Sequence, residues 1–135
     1  MKRKILFCLI AVCFFSKGFG QNTTDTTNKK AIKDLEECYH HFPGGEKGLN
    51  KFLSDNLKWP KQAMEKDIHG IVYISIIVDT VGKLYDIKIY KGVAPELDEE
   101  ALRVFKKMPK WRPFTENGKT VERNLLFPIG FKLHN

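Results

Sequence analysis

The sequence predicts an α+β fold: a small three-stranded antiparallel sheet, strand order second-first-third, with helices packed on one face. Three observations predict it. Residues 70–78 are a nearly unbroken β-branched and aromatic run, Pro95 to Met108 carries one apolar stripe at helical spacing, and residues 121–133 alternate with period two. With 135 residues, 42% of them hydrophobic and 29% charged, the chain is long and apolar enough for a single globular domain, and global disorder is excluded.

The elements follow in order. Lys2, Arg3 and Lys4 precede an apolar run from Ile5 to Phe15, and small residues at Gly18 and Gly20 suit a signal peptidase. Residues 1–20 therefore read as a signal peptide cleaved before Gln21, and the product is expected to be exported to the periplasm. Eleven apolar residues fall short of the ~20 that cross a bilayer, so the alternatives, an uncleaved inner-membrane anchor or a lipoprotein through Cys13, fit less well. Cys8 and Cys13 leave with the signal, so Cys38 has no partner for an internal disulfide. Residues 21–41 form a linker and lead-in: Gln21 to Lys30 has no apolar residue and reads as solvated. Ala31 to His41 has a weak helical pattern through Ile32, Leu35 and Tyr39 and is expected to dock loosely.

The folded unit, residues 42–135, starts at Phe42-Pro43-Gly44-Gly45, which interrupts regular structure. Leu49, Phe52, Leu53 and Leu57 then mark a helix that Trp59-Pro60 ends, because the residue before proline is pushed out of the α region. Pro60 opens a second short helix through Ala63 and Met64. Asp79-Thr80-Val81-Gly82-Lys83 makes a hairpin loop, and Leu84 to Tyr90 alternates, with Tyr85, Ile87 and Ile89 on one side. In the next helix Leu97, Ala101, Val104, Phe105 and Met108 are the buried stripe. Acidic residues crowd its first turns and basic ones its last, as the helix dipole favours. Pro109 stops it, and Glu116-Asn117-Gly118-Lys119 is a turn. In the last strand Val121, Leu125, Phe127, Ile129, Phe131 and Leu133 face the core side, joined only by Arg123. Pro128 has no N–H for a ladder and so marks the strand as a sheet edge. The long helix returns the chain across the sheet, which sets this strand antiparallel to the first and beside it.

Charge excludes one class of function. The net charge is +7, but Lys2, Arg3, Lys4 and Lys17 belong to the signal. Without them 19 basic residues face 16 acidic ones, too small a surplus for a nucleic-acid surface. Cys38, His40 and His41 are close in sequence but lack the further ligands a metal needs. Glu96, Asp98, Glu99 and Glu100 are a solvated helix start, and no nucleophile elbow, triad or phosphate loop is present, so no enzyme, cofactor or small-molecule substrate is expected. Trp59 and Trp111 sit at helix exits, where covering the core is their default role.

A set of spaced motifs points further. Phe42-Pro43-Gly44-Gly45, Trp59-Pro60 with Ala63, Gly70-x-Val72, Asp79-x-x-Gly82, Leu97-Asp98-x-x-Ala101, Met108-Pro109-Lys110-Trp111-x-Pro113 and Phe127-Pro128-Ile129-x-Phe131 occur in that order. Across residues 42–133 the chain resembles the carboxy-terminal domain of TonB, in particular the Bacteroidetes versions. The resemblance implies a periplasmic energy-transducer domain that accepts an extended peptide, the TonB box of an outer-membrane transporter, by strand addition along its last strand. Because backbone groups alternate sides, Pro128 facing outward carries Glu122, Asn124, Leu126, Gly130 and Lys132 with it, and these six are the candidate binding residues. The donor missing at Pro128 costs a guest roughly 0.5–1.5 kcal/mol. About 20 linker residues without proline reach only roughly 20–30 Å as a coil, which suits a stand-alone domain rather than one spanning the envelope. The alternative reading is a homodimer or assembly piece pairing through the same edge.

Overall fold

The computed structural model describes residues 26–131. The expected signal peptide, the first residues of the expected linker, Lys132 and Leu133 lie outside the described residues. The element order is α1 (Thr26–His41), α2 (Gly45–Asn56), α3 (Lys61–Glu65), β1 (Gly70–Val78), β2 (Leu84–Lys91), α4 (Pro95–Lys106), β3 (Phe114–Glu116), β4 (Lys119–Val121) and β5 (Arg123–Phe131). The main sheet is antiparallel in the order β2-β1-β5, the arrangement expected from the sequence.

One face of that sheet carries the core. Val72, Ile74, Ile76 and Val78 of β1 and Leu125, Phe127, Ile129 and Phe131 of β5 alternate inward and pack under Leu49 and Leu53 of α2, Ala63 of α3, and Leu97, Ala101, Val104 and Phe105 of α4. Phe105 meets Phe127 edge to face at 5.0 Å, and Trp59 meets Phe131 at 6.1 Å. Both tryptophans are buried, which is the packing role. Arg103 fastens α4 to α2: its Nη2 donates to the terminal carbonyl of Asn56 at 2.6 Å while Glu100 holds its Nε at 2.6 Å. That satisfies one of the helix-end carbonyls that would otherwise lack a partner.

Two close approaches depend on glycine. A Cβ at Gly48 would stand 2.3 Å from the Pro43 carbonyl oxygen, so the first turn of α2 can fold against Phe42-Pro43 only without a side chain there. Gly82 has φ +89° in the hairpin loop, and a Cβ would sit 1.9 Å from the Trp111 carbonyl oxygen. There Trp111 N–H donates to Gly82 O at 2.8 Å, tying the hairpin to the segment after α4. Asp79 builds the loop by accepting from the amides of Val81 and Lys83 at 2.9 and 2.8 Å.

Three details differ from the sequence reading. Residues 114–121 form a separate two-stranded ribbon, β3-β4, so the last strand is interrupted at Glu122 rather than continuous from Val121. The alternation of β2 breaks at Asp86, whose φ is +50°: Ser75 pairs with Lys88 but Ile77 with Tyr85. This bulge puts Tyr85 on the opposite face from Ile87 and Ile89, which pack on the core. The third is α1. It begins five residues before the expected helix and is not loosely docked, since Ala31, Asp34, Leu35 and Cys38 are buried. Hydropathy hid it because two of those four residues are not aliphatic.

Candidate functional site at the edge of the sheet

β5 pairs with β1 over nine consecutive residues, Arg123 to Phe131, with no break in register. Its other side faces away from the sheet. The backbone N–H of Leu126 points that way and donates at 2.8 Å to Oδ2 of Asp34 on α1. In an antiparallel ladder residues of the same parity share that orientation, so the amides of Asn124 and Gly130 point outward as well, and Pro128 between them has none to offer.

The helix reaches the edge by crossing it. Ala31 packs with Tyr73 and Leu126 on the face opposite the core, while Leu35 and Cys38 reach round to the core itself. Asp34 stands at the crossing with 7% of its surface exposed, and Lys30, one turn earlier, pairs with the same carboxylate. The Tyr73 hydroxyl donates to Asn28 at 3.3 Å. Beneath the first turns of α1 a cleft of about 390 Å³ is bounded by Thr26, Lys30, Ser75, Tyr90, Asn124 and Leu126.

The carboxy-terminal end of α1 is fixed differently. His41 stacks on Phe114 at 3.7 Å, its Nδ1 donates to the Arg112 carbonyl at 2.9 Å, and its own carbonyl accepts from Arg112 N–H at 2.7 Å. Arg123, at the start of β5, lies over the Phe114 ring at 5.1 Å and pairs with Glu116 at 3.1 Å and Glu37 at 3.8 Å. Burial, followed by the negative charges of Asp34 and Glu37, pushes the Cys38 thiol well above its usual value, so it is an inert packing group. Among the described residues no three His, Cys, Asp or Glu side chains converge as metal ligands, and no helix is long and apolar enough to cross a membrane.

Of the six candidate residues, Glu122 and Asn124 are exposed, Gly130 is half-buried, Leu126 and Pro128 are buried, and Lys132 lies outside the described residues. Glu122 precedes β5 and accepts a 2.5 Å hydrogen bond from the Tyr85 hydroxyl, which is pushed up to about 12 chiefly by that bond. The sequence reading missed Asp34. Its signal was its place between Ala31 and Leu35-Cys38 on one helical stripe, a carboxylate where an apolar residue belongs.

The family model described as Gram-negative bacterial TonB protein C-terminal matches residues 55–133. A solution structure of the Helicobacter pylori TonB C-terminal domain is similar at TM-score 0.50 and 26% identity, covering 75% of this chain and 94% of that one. The TonB2 protein of Vibrio anguillarum is 28% identical, with TM-score 0.46, over 58% of this chain and 74% of that chain. No curated protein matches the sequence.

Proposed function

We propose, from the premise that this chain belongs to the family of Gram-negative bacterial TonB C-terminal domains, that its β5 edge receives an extended peptide, the TonB box of an outer-membrane transporter, by strand addition in the periplasm. The family role is envelope energy transduction; the peptide and its seat on this chain are the reading offered here. The observation that carries it is the outward N–H of Leu126 on a regular nine-residue edge strand, met by a side-chain carboxylate rather than by another strand. A main-chain donor in that position is what an added strand uses, with its carbonyl taking the acceptor's place. Glu122, Asn124, Leu126, Gly130 and Lys132 then flank the guest, and Pro128 leaves one guest carbonyl without a donor.

The test is an amide-shift titration of the ¹⁵N-labelled chain with a synthetic peptide carrying the TonB box of an outer-membrane transporter. Shifts concentrated on residues 122–132 are expected. Shifts confined to β2 or to the face of α4 would place the peptide elsewhere and end the proposal.

A further inference from the structure

We propose that the first half of α1, Thr26 to Asp34, is a latch on the β5 edge that must lift before a guest strand can pair there, while Leu35 to His41 stays as its fixed end. The inference rests on the peptide-binding reading above. Steric exclusion is the first ground. A strand added to β5 runs about 4.8 Å from it, and a helix with its side chains is about 10–12 Å across, so α1 and a guest cannot both lie against Leu126. The second is competition for one donor. The Leu126 N–H is the central one of the outward amides and is already given to Asp34; a guest carbonyl has to take it back.

The third ground is the unequal attachment of the two halves. Residues 26–34 bring only Ala31 as a fully buried apolar side chain; Ile32 is half-buried, Asp34 is the buried carboxylate, and the rest of the segment is threonine, asparagine and lysine. Residues 35–41 bury Leu35 and Cys38 in the main core and are pinned through His41 to Arg112 and Phe114 and through Glu37 to Arg123. Segments with few buried apolar contacts open at low cost while the well-packed remainder stays folded. The cleft beneath the first turns already separates Thr26 and Lys30 from Ser75 and Asn124, leaving a seam where lifting can begin. On release Asp34 keeps Lys30 and gains water, so its carboxylate is not stranded.

The experiment compares the full chain with Asp34→Ala and Ala31→Asp, each titrated with the same TonB-box peptide and followed by amide shifts and amide hydrogen exchange. Removing a hydrogen bond to a charged acceptor should tighten peptide binding about tenfold in Asp34→Ala. Ala31→Asp places a charge in the contact with Tyr73 and Leu126; it lifts the same segment with the Asp34 side chain retained, and should tighten binding too. In the unaltered chain, peptide saturation should strip exchange protection from residues 26–34 and leave 35–41 protected. Equal or weaker binding by both variants, with shifts still on β5, overturns the latch and leaves the edge reading intact. So does a complex in which residues 26–34 remain protected. If no protein shows shifts on β5, the edge reading itself is lost and the latch with it.

Discussion

The two edges of the sheet flank the same central strand and avoid unwanted pairing by different means. β2 is irregular: Asp86 at φ +50° and a second register shift near Tyr90 break its ladder with β1, and Asp86, Lys88 and Lys91 keep it charged and exposed. Its protection is written into its own backbone. β5 is regular over its whole length and five successive residues, Leu125 to Ile129, are buried. Its protection is borrowed from a helix contributed by the other end of the chain. A bulged edge disfavours a guest strand, whereas under the proposed latch a covered regular edge becomes available once the cover moves. On the proposed reading, that difference is what makes β5 the edge that receives the guest.

The largest contrast between the edges lies in what they contribute to the core. Phe127→Ala, which empties a fully buried site beside Phe105, should cost about 3–5 kcal/mol in urea unfolding, against about 1–2 kcal/mol for Ile89→Ala on the half-buried β2. Equal losses would mean the two strands share the core evenly. A smaller effect separates bulge from regular ladder. Asp86→Val puts a β-branched residue at positive φ and should cost about 1–2 kcal/mol. Asn124→Val, on the exposed side of regular β5, should be tolerated within about 0.5 kcal/mol. If Val is accepted equally at both positions, the bulge is not what distinguishes the β2 edge.

The smallest effect concerns the hydrogen bond joining β2 to the start of β5. Tyr85 is raised to about 12 by donating to Glu122, and a raised folded-state pKa gives stability present below the ordinary tyrosine value near 10. That contribution fades as pH climbs from about 10 past 12. Ultraviolet titration should resolve one late tyrosine that returns to the ordinary range in Glu122→Gln; a late tyrosine that persists in the variant would assign the shift to another cause.

Much of this architecture can be read locally. The β-branched run of β1, the α4 stripe ending at Pro109 and the period-two pattern around Pro128 each show within a dozen residues, and Pro128 alone put its strand at an edge. The bulge in β2 was not readable, because Asp86 fits an alternating strand as an ordinary polar position until pairing with β1 shifts the register. Nor was α1: a polar stretch with Asp34 and Cys38 on its buried face lacks the aliphatic signal that pattern reading depends on. The candidate edge could be named from sequence, but its cover could not.

Periodicity, prolines and ordered motifs decided the fold class, the order of the strands and the family, since each depends on neighbours along the chain and on which side a residue presents. Whether the edge stands open was decided only by folding. That outcome turns on one carboxylate meeting one amide 92 residues away, and neither group reveals the other until the sheet and the helix are brought together.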